Sequence, residues 1–220
     1  MQRRSFLRLT LSGVAAATVG MSLGACGGEP AAELQTTTEP DRGARGRGRV
    51  LLAYFSRPGE NYWNGGRRDL EVGDTEPLAR LIRARLACDV HRIRERDPYP
   101  DDYEATVARN VREQNADARP QIASRLSSID AYQTILLASP IWNVRAPMIM
   151  STFAERYDFS GKTVHPITTY AMSGLGTTPE DYAEACEGAR IGRGLAVRGE
   201  EVRTNGAKAV DAWLRRTRLS

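Results

Sequence analysis

The segment from Arg49 to Thr75 constrains the fold of this chain more than any other. It begins with a continuous apolar run at 50–55, which is typical of a strand covered on both faces. A polar, glycine-containing loop follows, and beyond Thr75 apolar residues recur at helical spacing. The sequence therefore predicts a strand, a loop and a helix in succession. The free N–H groups at such a helix start, with the Ser56 and Thr75 hydroxyls, form a possible cradle for an anion.

Predicted strands and helices alternate along the rest of the chain. Further strands are predicted at 89–93, 134–139, 163–169 and 194–197, and further helices at about 101–117, 148–153, 179–186 and 205–216. Such alternation favours a parallel sheet with helices on both faces. We therefore predict an α/β domain with three layers, α/β/α, around a doubly wound, five-stranded parallel sheet.

Three loops follow long apolar strands, at 56–75, 139–147 and 169–177. In open parallel sheets, ligands bind beyond the carboxyl ends of the strands, where the strand order reverses. A ligand site is therefore predicted where these three loops meet.

The motifs in these loops resemble those of the flavodoxin-like family. The first is Tyr54-Phe55-Ser56-Arg57-Pro58-Gly59, the second is Pro140-Ile141-Trp142 followed by Ala146-Pro147-Met148, and the third is Ser173-Gly174-Leu175-Gly176-Thr177. The resemblance extends over 50–197. It implies FMN as the cofactor and a flavodoxin-like sheet with strand order 2-1-3-4-5.

The resemblance also implies which residues hold the FMN. Ser56 and Thr75 would hold the phosphate, Trp142 would lie beside the isoalloxazine ring, and the glycines of the third loop would let the backbone approach that ring. The predicted cofactor-binding residues are Ser56, Arg57, Asn61, Asp74, Thr75, Pro140, Ile141, Trp142, Asn143, Val144, Ser173, Gly174 and Gly176.

The first loop departs from the family pattern in two ways. It is longer by the insertion 60–72, and Asp74 stands where the short pattern has Asn. We expect Asp74 to cap the helix through its side chain and to face away from the phosphate. The insertion, which carries Tyr62 and Trp63, is either a lid over the flavin or an exposed hairpin that turns at 64–66.

Histidines and cysteines do not indicate a metal site or a catalytic base. His91 and His165 fall within predicted strands, where packed or edge residues are the better interpretation, and there is no Cys-x-x-Cys motif. Cys88 and Cys186 are predicted to be two buried thiols rather than a disulfide. No nucleophile elbow is present, which argues against a hydrolase.

The N-terminus has the features of an export signal. Arg3 and Arg4 precede a short apolar run, and residues 23–26, Leu-Gly-Ala-Cys, resemble the lipobox of bacterial lipoproteins. We predict a twin-arginine signal peptide at 1–25, a lipidated Cys26 with a flexible linker at 26–48, and the flavodoxin-like domain at 49–220. The protein would be anchored on the outer side of the bacterial cytoplasmic membrane. An uncleaved anchor, or cleavage without lipid, is the alternative.

The net charge of the chain comes mostly from this signal. The whole chain has 31 Lys and Arg against 27 Asp and Glu, but residues 1–25 hold three Arg and no acids. The mature chain would therefore be nearly neutral, which gives no support for nucleic-acid binding.

These features predict an FMN-binding redox protein that passes electrons between a reductant and an organic or protein acceptor. One alternative is an NAD(P)H-dependent quinone or nitro-compound reductase, and another is a flavin-free lipoprotein that serves as an interaction module. Since 139–147 and 169–177 hold no Asp or Glu, Arg145 is either a cation that raises the flavin potential, or a side chain that points to solvent or pairs with a carboxylate.

Overall fold

The computed structural model describes residues 49–219. Within that range the strands are β1 (Arg49–Tyr54), β2 (Gly59–Trp63), β3 (Gly66–Leu70), β4 (Asp89–Arg92), β5 (Tyr132–Pro140), β6 (Thr163–Tyr170), β7 (Arg190–Ile191) and β8 (Leu195–Arg198). The helices are α1 (Thr75–Arg83), α2 (Tyr103–Asn115), α3 (Met148–Ala154), α4 (Thr178–Ala185) and α5 (Val202–Thr217).

The main sheet has the strand order β4-β1-β5-β6, with β7 and β8 both paired to the outer side of β6. Every strand pair in it is parallel. The predicted order 2-1-3-4-5 is confirmed, because β4, β1, β5, β6 and β8 occupy those places. The fifth strand position is filled by two short strands, and the first of them, β7, was not predicted.

The fifth strand is broken opposite His165 and Pro166. Pro166 has no N–H to donate to a neighbouring strand, and a Cβ on Gly192 would lie 2.4 Å from the His165 ring, so only glycine fits at that position. The carbonyl of Arg193 accepts hydrogen bonds from Trp213 Nε1 and interacts with His165 Nδ1, each at 2.9 Å. His165 is therefore a packed strand residue, as predicted.

Each face of the sheet carries its own apolar core. One core packs α3 and α4 against the sheet and includes Phe55 and Phe153, while the other packs α1 and α5 and includes Leu78 and Trp213. Phe55, Phe153, Leu78 and Trp213 are fully buried, and each large apolar side chain contributes about 1.5–3 kcal/mol by leaving water. These two cores hold the strand ends, and thus the loops that follow them, in fixed positions.

The insertion in the first loop forms an antiparallel hairpin, β2–β3. Its turn is Asn64-Gly65, with φ values of 46° and 87°, the left-handed geometry that tight hairpin turns require. The hairpin alternative is therefore confirmed, and its relation to the ligand site is described below.

The remaining predictions on this part of the chain concern the cysteines. Cys88 and Cys186 are free thiols. Cys186 is buried as predicted, whereas Cys88 lies only half-buried before β4. None of the helices in 49–219 is long and apolar enough to cross a membrane. The predicted signal, Cys26 lipidation and linker at 1–48 lie outside the described residues.

Candidate functional site

A cavity of about 650 Å³ lies at the carboxyl ends of β1, β5 and β6. The three strand-end loops supply part of its lining, and α2 and the β2–β3 hairpin supply the rest. The predicted residues that line it are Ser56, Arg57, Asn61, Asp74, Thr75, Pro140, Ile141, Trp142, Asn143, Val144 and Ser173. Gly174 and Gly176 do not line it. The structure thus brings together residues from all three loops that sequence reasoning selected.

At the base of the first loop, the backbone at Gly73 packs directly against the backbone at Arg57. A Cβ on Gly73 would lie 2.1 Å from the Arg57 carbonyl oxygen and 2.7 Å from Ser56 Oγ, so only glycine fits between these groups. Ser56 Oγ donates to the Gly73 carbonyl (2.9 Å) and accepts the Glu76 N–H (3.2 Å). The two ends of the first loop therefore touch at the base of the hairpin. Ser56, Gly73 and Thr75 lie together there, as they would in a short loop without the insertion.

The predicted role of Asp74 as a side-chain cap is wrong. Asp74 stands at the N-cap of α1 but makes no capping hydrogen bond through its side chain. Its backbone is already helical (φ −62°, ψ −26°), whereas a capping side chain needs an extended backbone. The Ser56 hydroxyl takes the cap instead.

The Asp74 carboxylate pairs with Arg203 of α5 and lies close to Gly199. Burial raises the pKa of Asp74, the Arg203 guanidinium opposes that shift, and Glu200 adds to it. The expectation that Asp74 turns toward something other than the anion site agrees with this pairing, although Asp74 still contributes to the lining of the cavity.

The start of α1 offers unpaired donors to the cavity. The N–H groups of Asp74 and Thr75 have no acceptor among residues 49–219, as expected for the first turn of a helix. Thr75 is 1 % exposed, and its hydroxyl shares a hydrogen bond of 2.7 Å with the hydroxyl of Thr169 on β6. Two free N–H groups at a helix start, with a hydroxyl pair beside them, are suited to an anionic group such as a phosphate.

Arg57 is a buried cation held by carbonyl oxygens. Its guanidinium donates to the carbonyls of Pro100 (2.7 Å), Asp101 (3.2 Å) and Glu60, and the residue is 4 % exposed. Burial lowers the pKa of Arg57, and nearby carboxylates partly restore it. Arg57 thus joins the base of the hairpin to the segment before α2 while it lines the cavity.

The second loop contains a strained turn. Trp142 and Arg145 bond each other's backbone across it (2.8 and 3.3 Å), and the two residues between them, Asn143 and Val144, have φ values of 48° and 63°. A β-branched residue rarely adopts this conformation, and such strain clusters at functional sites. The N–H groups of Asn143 and Val144 have no acceptor within 49–219, so the turn presents two donors that the rest of the described chain does not use.

Trp142 is both packed and part of the site. Its ring contacts Phe55 and Tyr99 edge to face, with centroids 5.8 and 5.0 Å apart. The residue is half-buried and lines the cavity. Trp142 therefore packs under its loop and is still available to a ring ligand in the cavity.

The glycines of the third loop shape the site without lining it. A Cβ on Gly176 would lie 1.9 Å from the Val144 carbonyl oxygen, and that oxygen accepts the Thr177 N–H at 2.8 Å. The Gly174 carbonyl accepts the Thr168 hydroxyl at 2.9 Å. Gly176 thus allows the third loop to dock on the strained turn of the second.

Arg145 pairs with a carboxylate on α4. Its Nη2 lies 2.9 Å from Asp181 Oδ1, and Arg145 is not among the residues that line the cavity. Of the two interpretations offered for this cation, the structure supports pairing with a carboxylate.

One face of α2 forms a wall that sequence reasoning missed. Its lining residues are Tyr103, Thr106, Val107, Asn110 and Val111. Their spacing places them on a single helix face, and this spacing can be read from the sequence. The sequence does not indicate that this face lines the cavity. Asn110 is 3 % exposed, and its Oδ1 is buried without a hydrogen-bond partner within the described chain. Leaving such a group unpaired costs about 1–3 kcal/mol.

The hairpin covers one end of the cavity and touches both of its sides. At its tip, the Asn64 N–H donates to Glu200 (3.0 Å). On the other side, Arg67 donates to Glu104 (3.0 Å) and stacks on the Tyr103 ring, 3.5 Å from its centroid. The insertion is therefore a hairpin that lies over one end of the cavity, and its role as a lid over the flavin stays a prediction.

Comparisons with known proteins agree with this geometry. A family model described as flavodoxin matches residues 70–216. A crystal structure from Bacteroides eggerthii, of a protein assigned as a flavoprotein, shares 25 % identity over 79 % of this chain and 100 % of its own, with a TM-score of 0.62. A second from Bacteroides uniformis shares 27 % identity over 77 % and 99 %, with a TM-score of 0.57.

A flavoprotein from Lactobacillus acidophilus in complex with FMN has the same fold, with a TM-score of 0.52 and 16 % identity over 71 % of this chain and 97 % of its own. Among curated proteins, none matches this sequence significantly.

Proposed function

Since this chain belongs to the flavodoxin family, we propose that it binds FMN in the cavity at the strand ends and passes electrons between a reductant and an acceptor. We propose further that it is exported and lipid-anchored. The observation that carries the cofactor proposal is the pair of unused N–H groups, of Asp74 and Thr75, at the start of α1. A helix start of this kind favours a phosphate through both its donors and its dipole.

The residues at the phosphate end fit the group. Gly73 lets the two ends of the first loop contact each other at the base of the hairpin. The Ser56 hydroxyl accepts the Glu76 N–H and so holds the first turn of α1, whose N–H groups at Asp74 and Thr75 remain available to a phosphate. The hairpin, held by Arg57 and Arg67, limits the access of water to this end. Charge-assisted bonds to a phosphate are stronger where water is excluded.

The residues at the other end fit a flat, polar-edged ring. Trp142 offers an aromatic surface that Phe55 and Tyr99 hold in place, and the N–H groups of Asn143 and Val144 are available to the carbonyl and nitrogen acceptors of such a ring. When bound, FMN supplies one- and two-electron redox chemistry, and the protein contributes binding, orientation and electrostatics.

Visible absorbance tests the cofactor proposal. The purified protein, incubated with FMN and freed of excess ligand, is expected to keep the absorbance bands of oxidised flavin in a ratio near one FMN per chain. A colourless protein after this treatment would overturn the proposal and leave the flavin-free interaction module.

Arg3, Arg4 and Cys26 support the proposal of export and anchoring. The twin-arginine route carries folded proteins, so FMN could load before export. Replacing both arginines by Lys is expected to keep the protein in the cytoplasm, and Cys26→Ala is expected to move it from the membrane fraction to the soluble fraction. Membrane association that survives Cys26→Ala would remove lipidation from the account.

A further inference from the structure

The helices on the two faces of the main sheet carry opposite charge. α1 and α5, which pack on one face, hold six Arg and Lys residues against two acids. α3 and α4, which pack on the other face, hold three acids and neither Arg nor Lys. Because the mature chain would be nearly neutral, this difference is a separation of charge across the domain, and the face of α1 and α5 is its positive side.

The cations of α5 are exposed and do not pair with carboxylates. Lys208, Arg215 and Arg216 are exposed, and none of them has an ion-pair partner among residues 49–219. Lys208 and Arg215 lie two turns apart on one face of the helix. The opposite face is buried at Val210 and Trp213, so Lys208 and Arg215 lie on the side of α5 that is turned away from the sheet.

The acids on this side of the sheet are already paired. Asp211 accepts a hydrogen bond from Arg85 at 2.7 Å, which joins α5 to the end of α1. Glu76 pairs with both Arg80 and Arg92, so this group of three keeps one positive charge. Since the Arg80 side chain is 70 % exposed, α1 extends the positive surface of α5.

The outer surface of these two helices has no apolar centre. Five large apolar side chains are exposed within 49–219, and none of them belongs to α1 or α5. Interfaces between proteins have an apolar core that is poor in charged residues, so this face is a poor match to a protein partner. The surface of an anionic membrane requires no such core, because clustered Lys and Arg bind its headgroups through charge alone.

We propose that the outer face of α1 and α5 rests on an anionic phospholipid surface, with Lys208, Arg215 and Arg216 as its main contacts. This inference rests on the proposed export and lipid anchoring, because a chain anchored at Cys26 stays close to such a surface. The anchor would raise the effective concentration of the domain at the membrane, so weak electrostatic contacts are sufficient.

This orientation determines where the cavity opens. The helices α1 and α5 cover one face of the sheet, and the cavity lies at the carboxyl ends of the strands. When that face is turned to the membrane, the strands lie along the surface and the cavity opens to the side. The cavity would therefore stay accessible from water.

Vesicle binding tests the inference. The full chain with Cys26→Ala, which cannot receive the lipid, is mixed with vesicles of phosphatidylcholine alone or with about 30 % phosphatidylglycerol, which makes the surface negative. We expect co-sedimentation to show stronger binding to the anionic vesicles. This preference should disappear as salt rises from about 0.1 to about 1 M, because the screening length falls from about 10 to about 3 Å.

A triple variant identifies the face that binds. The α5 variant combines Lys208→Gln, Arg215→Gln and Arg216→Gln, which keep exposed, helix-forming side chains and remove only charge. We expect anionic vesicles to bind about fivefold more weakly for each cation removed, and thus about a hundredfold more weakly in all. Residues 1–48 are the same in every protein compared, so their own contribution to binding cancels.

The matched control removes three exposed cations that lie outside α1 and α5. It combines Arg112→Gln, Arg125→Gln and Arg156→Gln. Because charges more than about 10 Å from the surface are largely screened, we expect this control to change binding less than about threefold.

The inference and the proposed function fail in different ways. Equal losses in the two variants would show that only net charge matters and would overturn the inference. No preference of the Cys26→Ala chain for anionic vesicles would also overturn it and leave this face to an acidic protein. FMN absorbance of every variant reports loss of the fold or the cofactor separately. Failure of the proposed anchoring would instead appear as wild-type protein in the soluble fraction of cells.

Discussion

The two ends of the cavity are built by different means. The ring-side loops, 139–147 and 169–177, are locked by backbone contacts: Gly176 approaches the Val144 carbonyl, and Thr177 donates to it. The phosphate-side loop, 56–75, has backbone contacts at Gly73 and between the Glu60 N–H and the Asp101 carbonyl (2.7 Å), and the side chains of Arg57 and Arg67 hold the rest of its hairpin. Backbone contacts of this closeness require glycine, whereas side-chain contacts tolerate many sequences.

This difference explains why one end is easier to identify than the other. Where only glycine fits, that glycine forms part of a recognisable sequence motif, and the ring-side loops contain such a motif. Apart from the nearby Glu60 carbonyl, the partners that Arg57 and Arg67 reach across the site lie some 40 positions along the chain, at 100–104, and no local sequence pattern predicts them. If the contrast is correct, small changes at the ring side should have larger effects than comparable changes at the phosphate side.

The largest effect is expected from Gly176→Ala. The new Cβ would lie 1.9 Å from the Val144 carbonyl oxygen at a φ of 54°, so the two ring-side loops would separate. We expect a loss of about 2–4 kcal/mol in the free energy of unfolding and a drop of more than about tenfold in FMN affinity, measured by denaturation and fluorescence titration. Gly174→Ala is the matched control, because its φ of 60° is similar but no atom lies within 4 Å; equal effects of the two would contradict the docking role of Gly176.

A smaller effect is expected from Arg57→Met. It removes the guanidinium from the carbonyls of Pro100, Asp101 and Glu60, and relief of the buried charge offsets part of that loss. We expect a decrease of about 2 kcal/mol in unfolding free energy and faster proteolysis within 59–70. Arg68→Met, which removes only an exposed guanidinium 4.6 Å above the Trp63 ring, is expected to leave the cleavage rate unchanged; a hairpin as protected in Arg57→Met as in wild type would show that Arg57 does not hold it.

Asp74→Asn is expected to increase FMN affinity at the phosphate end of the cavity. It removes a negative charge from the lining and leaves Arg203 unpaired, so FMN affinity should rise about fivefold and riboflavin affinity should not change. Asp211→Asn, which removes a partner of Arg85 away from the cavity, is the control for charge. A parallel rise for both flavins would show that the charge of Asp74 does not act on the phosphate.

The same substitution has a pH signature. Burial raises the pKa of Asp74, so the native state holds that proton more tightly than the unfolded chain does. The resulting stability is complete below the unfolded pKa of about 3.9 and is lost as pH rises through the native pKa. The advantage of Asp74→Asn in unfolding free energy should therefore grow from pH 4 to pH 7 in denaturant titrations, and a constant difference would contradict the shift.

The smallest effect is expected from Arg145→Gln. Because Arg145 pairs with Asp181 on a partly exposed surface and does not line the cavity, its loss should cost less than about 1 kcal/mol of stability. The midpoint potential of bound FMN should stay close to that of wild type in a spectroelectrochemical titration. A clear fall in potential would restore the sequence-based alternative in which this cation acts on the ring.

The sheet and the ring-side loops could be predicted from the sequence because their signals are local. Buried apolar runs, helical spacing and the Pro140-Ile141-Trp142 motif placed β1, β5, β6 and the residues around Trp142. The break between β7 and β8 could not be predicted, since it lies where His165 packs against Gly192, a tertiary contact. The Asp74–Arg203 pair and the Asn110 wall depend on tertiary contacts of the same kind.

A paired titration of the purified protein with FMN and riboflavin tests the central claim most directly, because the two ligands differ only in the phosphate. We expect one FMN to bind per chain and riboflavin to bind at least about tenfold more weakly, since riboflavin cannot use the donors at the start of α1. Equal affinities for FMN and riboflavin, or no binding of either, would contradict it.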